Sequence, residues 1–372
     1  MLRGFLFASL LVPLVSLAQQ PPSVVARAWL LADLSSGQVL AAERPDEPFE
    51  PASLTKLMTA YLVFQALKEK KLSLDQQVAV SERAWRAAGS RMFIEPRKPV
   101  TVDELVRGMV VQSGNDACIA LAEAVAGSEE VFAQMMNREA ARLGMKGTRF
   151  MNASGLPDPR HTTTARDLHA LASALIRDYP EQYAQYYSQK EYRYNGITQP
   201  NRNRLLWLDP TVDGVKTGFT EAAGYCLIAS SKRGPRRLLS VVLGSTSETV
   251  RAQESQKLLN WGFQFYDAVR LYGKGQAVKA IEVWKGERRE VKAGFPGEFV
   301  VTVPKGEAAK LKAELLAPAP LVAPVAAGQR IGVLRLTLEG KPLGEYPVVA
   351  LESIGQAGLL GRAWDTLRLW LK

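Results

Sequence analysis

Pro51-Ala52-Ser53-Leu54-Thr55-Lys56-Leu57-Met58-Thr59 places a hydroxyl and an amine three residues apart at the start of an apolar run. From residue 54 to residue 67 the chain has good helix formers and neither Gly nor Pro, so the run reads as a helix. Pro51, just before it, is a usual helix start. Residues three apart share a helix face, so the Ser53 hydroxyl and the Lys56 ammonium meet over the first turn. The helix N-terminus adds positive partial charge where Ser53 would attack. This is the local geometry of a serine activated by a lysine base. Taken alone, the same residues also describe an N-capping serine beside a solvated lysine.

Around that stretch the chain alternates strands and helices. Ala26-Arg27-Ala28-Trp29-Leu30-Leu31-Ala32-Asp33 reads as a strand, Ser35-Ser36-Gly37 as a turn and Gln38-Val39-Leu40-Ala41-Ala42 as the returning strand, so a hairpin leads into the serine helix. Residues 71–177 read as mostly helical. Thr101 and Glu104 form a capping-box pattern at the start of one of these helices. That helix runs into Ser113-Gly114-Asn115, a tight turn before the next helix, where the glycine is expected to let the backbone approach a ligand. Residues 147–157 are an irregular loop. From Trp207 the period changes: residues 211–219, 224–230 and 237–244 read as three strands joined by short turns, hence antiparallel, followed by a helix over 254–269. The order implies an α+β fold, an antiparallel sheet with packed helices and a helical lobe. Residues 271–352 read as a small all-β domain, and residues 353–372 as a tail with an amphipathic helix. At 100° per residue, Leu359, Leu360, Ala363, Trp364, Leu367, Trp370 and Leu371 fall within an arc of about 140°, with Arg362, Asp365, Arg368 and Lys372 opposite. Two Trp with flanking basic residues fit a helix lying on a membrane surface. A helix docking on its own domain is the alternative.

Length and composition set the outer bounds. The 372 residues fit two to three domains, and 47% hydrophobic residues supply an ample core. Arg3 precedes an apolar run over residues 5–17 with small residues before Gln19, a secretory signal cut after Ala18. No cysteine follows the cut to carry a lipid. The expected divisions are 1–18 signal, 19–270 catalytic, 271–352 all-β and 353–372 tail. Cys118 and Cys226, the two cysteines, sit in apolar contexts and read as buried free thiols, and with two histidines they give no zinc spacing. The formal charge of +10 suits an anionic lipid or polymer. An exported chain without a nucleic-acid motif excludes nucleic acid as partner.

Ser53-x-x-Lys56, Ser113-Gly114-Asn115 and Lys216-Thr217-Gly218 then fall, in that order, on a helix start, an interhelical turn and a strand. This set belongs to serine β-lactamases and penicillin-binding proteins, with Gly114 where one version has Asp. The sequence resembles the low-molecular-mass penicillin-binding proteins that act as D-alanyl-D-alanine carboxypeptidases. The likeness extends to Ser113-Gly114-Asn115-Asp116-Ala117, Asp213-Gly214-Val215-Lys216-Thr217-Gly218 and Leu258-Leu259-Asn260-Trp261-Gly262-Phe263, and it covers the whole chain.

The resemblance implies a β-lactamase/transpeptidase-like fold and the following roles. Ser53 is the acylated nucleophile, Lys56 its general base, and Ser113 the relay of a proton to the leaving D-alanine. Asn115 holds the substrate amide. Lys216 binds the terminal carboxylate or completes the relay. Thr217 and Gly218 lie on the strand that pairs with the peptide, Gly218 leaving room for it, and the N–H groups of Ser53 and Phe219 form the oxyanion hole. The implied partners are the peptidoglycan stem pentapeptide, β-lactam antibiotics and, through the tail helix, the periplasmic face of the inner membrane. No cofactor and no metal are implied. A neutral Lys56 requires burial or a second cation, for which Lys216 is the expected source. In some relatives an Arg after the third strand reaches the carboxylate; Thr246 stands there, leaving Lys216, Thr217 or Arg251.

A serine β-lactamase shares the motifs but needs a carboxylate in the helical lobe to activate water, and residues 140–180 contain no Glu, only Asp158, Asp167 and Asp178. A Ser-His-Asp hydrolase would need His161 or His169 in the site, and no Gly-x-Ser-x-Gly elbow exists. A non-catalytic penicillin-binding or wall-binding scaffold is opposed by three intact motifs.

Overall fold

The computed structural model describes residues 20–370, so the expected signal over residues 1–18 and the last two residues of the tail lie outside the described chain. Strands β1 (Ala28–Asp33) and β2 (Gln38–Glu43) form the expected hairpin. β3 (Val212–Thr220), β4 (Gly224–Arg233) and β5 (Arg236–Ser245) complete a five-stranded antiparallel sheet in the order β2-β1-β5-β4-β3. β3 is therefore an edge. Every residue of β1 is buried, because both sheet faces are covered. Successive side chains point to opposite faces. Leu30 and Ala32 join the core shared with the helical lobe, while Trp29 and Leu31 pack with Leu258, Leu259 and Trp261 on the other side.

The helical lobe is built round α1 (Lys56–Lys68), which is buried almost all round. A helix with no polar face belongs at the centre of a bundle. α2 (Val102–Val111), α3 (Asn115–Ala126), α4 (Glu129–Arg142) and α5 (Ala165–Asp178) surround it. Thr101 and Glu104 form the expected capping box on α2. α6 (Glu248–Phe265) covers the opposite sheet face.

Several expectations are corrected by the fold. The helix expected from residue 54 is a 3₁₀ turn, Ala52–Thr55, followed by α1, so Ser53 is on the turn and caps nothing. Residues 71–100 are mostly irregular, with one short helix, Glu82–Trp85, and a two-residue ladder between Gln77–Val78 and Val100–Thr101. The buried Asp116 carboxylate accepts the backbone N–H groups of Met92, Phe93 and Ile94 at 3.0, 2.8 and 3.3 Å, replacing the bonds a helix would supply. The helix expected over 254–269 starts earlier, capped by Ser247, and stops at Phe265. Tyr266–Tyr272 is instead a strand paired with Phe299–Pro304. A helix at Pro180–Tyr186 and a hairpin of Glu191–Tyr194 with Ile197–Pro200 were not anticipated.

The C-terminal strands enclose a separate core around Val291, Val301, Leu334 and Val348. They include a six-stranded sheet in which Arg330–Leu338 and Lys341–Ala350 pair through the expected turn at Glu339-Gly340. Thr302 joins this unit to the first hairpin: its hydroxyl bonds Asp33 at 2.9 Å and Ser36 at 2.7 Å, and its N–H donates to Gln38 at 2.6 Å. The tail helix, α7 (Leu359–Trp370), turns its polar side inward. Asp365 accepts the Lys285 N–H at 2.7 Å, and the Arg368 guanidinium lies 5.2 Å from the Trp284 ring centroid. Leu360 and Trp370 are 89% and 83% exposed. No helix among the described residues is long and apolar enough to cross a membrane.

Candidate active site

Ser53 is held between the edge strand and a loop. A Cβ on Gly218 of β3 would meet Leu54 Cγ at 3.2 Å and Ala52 Cβ at 3.3 Å. This glycine therefore lets the serine turn pack closely on the strand. On the other side, a Cβ on Gly155 would collide with the Ala52 carbonyl oxygen, and Gly155 has φ +85°. The turn is thus fixed by two backbones pressed against it.

The structure brings the first two motifs together on Lys56. Its Nζ lies 3.0 Å from Ser53 Oγ, 2.7 Å from Asn115 Oδ1 and 2.6 Å from the Ser154 carbonyl. An ammonium donates to all three oxygens. A neutral amine has two N–H groups and one lone pair. The carboxamide oxygen and the carbonyl can only accept, so in the neutral state they take both N–H groups and the lone pair faces the Ser53 hydroxyl, which then donates to Nζ.

Burial is the main cause that brings Lys56 down to about 8; Cys118 opposes it, Arg202 lowers it further and Asp116 raises it. The cation that lowers it is Arg202, where Lys216 was the expected one. Lys216 is itself held well below the ordinary lysine range, first by burial and then by Lys56 and Arg202.

A cleft of about 330 Å³ opens over Ser53, walled by Ser113, Asn115, Thr217, Gly218, Phe219 and Arg251 among others. Thus seven of the eight expected site residues stand at the cleft or at Ser53. Lys216 is buried behind the wall, its Nζ donating to the Thr217 carbonyl at 3.1 Å. Ser113 has φ +64°, and its buried Oγ has no hydrogen-bond partner among the described residues. The turn's left-handed residue is this serine; Gly114 instead accommodates Asp116, whose Oδ1 would stand 2.8 Å from an added Cβ. Asn115 Nδ2 donates to the Ala88 carbonyl at 2.7 Å, so its carboxamide spans from Lys56 to the irregular stretch that precedes Thr101.

Arg251, on α6, is 3% exposed; it donates to the Gly218 carbonyl at 3.2 Å and lies over the Tyr225 ring. Arg202, Glu248 and the Ser154 carbonyl belong to the site without having been singled out in the sequence. Arg202 and Glu248 carry no local motif, and a carbonyl role leaves no residue signature. Neither histidine reaches the serine: His161 Nε2 is bonded to Thr55 Oγ1 at 3.1 Å, and His169 lines a different cavity beside Arg142 and Arg177. A Ser-His-Asp arrangement is not built here. Cys118 and Cys226 are free and buried, as expected.

The chain is similar to D-alanyl-D-alanine carboxypeptidase DacC of Escherichia coli (strain K12), 44% identical across 97% of this chain and 93% of the relative. It is 35% identical to D-alanyl-D-alanine carboxypeptidase DacF of Bacillus subtilis (strain 168), across 93% and 90% of the two chains. Its fold is similar to the crystal structure of penicillin binding protein 5 from Haemophilus influenzae, with TM-score 0.87 and 39% identity over 91% of this chain and all of that one. Residues 266–356 match the family described as penicillin-binding protein 5, C-terminal domain. With residues 15–247 matching the family described as D-alanyl-D-alanine carboxypeptidase, the chain belongs to that family of serine-type penicillin-binding peptidases.

Proposed function

We infer that this chain removes the terminal D-alanine from peptidoglycan stem pentapeptides through an acyl-enzyme on Ser53. The observation that carries this reading is the 3.0 Å approach of Lys56 Nζ to Ser53 Oγ, made by a lysine brought down to about 8. Neutral Lys56 takes the hydroxyl proton as Ser53 Oγ forms a bond to the carbonyl carbon of the penultimate D-alanine. The oxyanion is received by the N–H groups of Ser53 and Phe219. The C–N bond then breaks as the proton held by Lys56 is relayed through Ser113 to the leaving amine of D-alanine, which returns Lys56 to its neutral form. Water attacks the ester as Lys56 takes one of its protons, the C–Oγ bond breaks, and Lys56 returns that proton to Ser53 Oγ as the shortened peptide departs.

β3 is the sheet edge, so among the described residues no further strand occupies the side on which an extended peptide would pair. Asn115 contributes the second N–H of its carboxamide to the substrate amide. Thr217 and Arg251 hold the terminal carboxylate, since Arg251 is the buried cation on the cleft wall. Lys216, behind that wall, completes the proton relay. β-Lactams acylate the same serine.

Export by the signal over residues 1–18 places this chemistry at the cell wall. The outward apolar side of α7 lays the chain on the inner-membrane surface. The domain divisions we adopt are a catalytic unit to Phe265, an all-β unit from Tyr266 and the tail helix.

The test is D-alanine release from a purified pentapeptide ending in D-alanyl-D-alanine, with and without an amine acceptor. Release without acceptor is expected. A protein that transfers only to the amine, or releases nothing, contradicts the hydrolytic reading.

A further inference from the structure

The irregular loop over residues 147–157 is a feature of the sequence that the three motifs leave unused, yet it lies along the serine helix. Thr59 Oγ1 donates to the Ala153 carbonyl at 2.6 Å, and Lys56 Nζ donates to the next carbonyl, Ser154, at 2.6 Å. Lys56 and Thr59 are three apart on α1 and share a face, so two successive loop carbonyls are read by one helix face. The Ser154 carbonyl matters most. If it moved, a neutral Lys56 would have one fixed acceptor, and its lone pair would no longer be confined to Ser53.

Asn152 sets the shape of this loop. Its Oδ1 accepts the backbone N–H groups of Ser154 at 3.2 Å, Gly155 at 2.7 Å and Leu156 at 3.1 Å, and its Nδ2 donates to the Leu156 carbonyl at 2.9 Å. One side chain therefore gathers the N–H groups of three successive residues and leaves the Ser154 carbonyl turned the other way, towards α1. The adjoining Ala153 N–H is held separately by Glu129 at 3.0 Å. Asn152 does not line the substrate cleft and does not touch Ser53.

We propose that Asn152 is a positioning residue for the general base: its carboxamide folds residues 152–156 so that the Ser154 carbonyl holds one N–H of Lys56 and aims the lone pair at Ser53. This rests on the reading of Lys56 as base. The groups facing Lys56 are Cys118 and Asp116 from α3, Lys216 from β3 and Arg202 from the cleft wall, and the substitutions below leave all of them in place.

The test compares Asn152→Ala and Asn152→Asp with the unchanged protein in the second-order rate of acylation by a fluorescent penicillin from pH 6 to 10. Asn152→Ala releases the loop. Misplacement of the base costs up to ~100-fold in acylation. Loss of the Ser154 acceptor also disfavours the ammonium, so the acid limb moves to lower pH. Asn152→Asp keeps the acceptor for three N–H groups and loses only the bond to Leu156. It is expected to retain most of the plateau rate, and its added negative charge moves the limb to higher pH. Opposite displacements of the limb are the signature, because a residue that only supports the fold lowers the active fraction equally at every pH. The proposal is overturned if Asn152→Ala acylates at the unchanged rate. It is equally overturned if both variants lose activity by a pH-independent factor, whether or not melting shows them folded. Should the unchanged protein itself show no acid limb, the reading of Lys56 as base fails, and the variants are not needed to see it.

Discussion

The acid limb of acylation is where the chemistry of Lys56 becomes measurable. The perturbation is pH, and the magnitude follows from a lysine brought to about 8, chiefly by burial. At pH 7 a group titrating at about 8 is roughly 9% neutral, at pH 6 about 1%, whereas an ordinary lysine at ~10.4 is only about 0.04% neutral at pH 7. Burial thus raises the working base about 200-fold at neutral pH. The sign is fixed by the base being active only without its proton: acylation rises with pH, about tenfold per unit well below 8, and levels above it. The assay is the second-order rate of labelling by a fluorescent penicillin, whose carboxylate is ionised throughout the range. A flat profile from pH 6 to 9 would refute the reasoning. A limb centred near ~10.4 would refute it as well, by showing that burial does not act on the lysine.

The remaining predictions follow from the same contacts. Gly155→Ala drives a Cβ into the Ala52 carbonyl at a φ of +85°, and should cost at least ~2 kcal/mol in chemical denaturation; a melting curve unchanged from the parent would mean the loop is not pressed on the serine turn. Arg251→Gln removes the buried cation of the cleft, and a lost charge-assisted hydrogen bond of about 1.5–3 kcal/mol raises KM for a free-acid peptide roughly 10- to 100-fold. A C-terminally amidated peptide should be indifferent to it, and an equal loss on both would show that the arginine only supports the fold. Deleting residues 358–372 removes the exposed Leu360 and Trp370 and should move the protein from membrane pellet to supernatant with acylation unchanged; a truncated protein still in the pellet would show that α7 is not the anchor.

The parts of the fold that were legible in the sequence are those with a period or a cap. Thr101 and Glu104 announced their helix because a capping box is local. The sheet was legible because three β-rich runs were joined by short turns, and the Ser53–Lys56 spacing was legible because a helix face repeats every three to four residues. What the sequence hid was set by distant partners. The stretch before Thr101 is irregular because Asp116, far along the chain, takes its N–H groups. Ser53 lies on a 3₁₀ turn because Gly155 and Gly218 press on it from both sides. Arg202 affects Lys56 from a segment with no motif, and the Ser154 carbonyl acts through backbone alone. Lys216 was legible as a site residue, but its depth behind Thr217 was not, because burial is a property of the assembled sheet.

The central claim is that Ser53 carries the acyl group. Incubation with penicillin, followed by intact-mass measurement and peptide mapping, tests it most directly. One covalent adduct on the peptide containing Ser53, absent in Ser53→Ala while that variant melts like the parent, is the predicted result. An adduct that persists in Ser53→Ala, or that maps to any other peptide, contradicts the account.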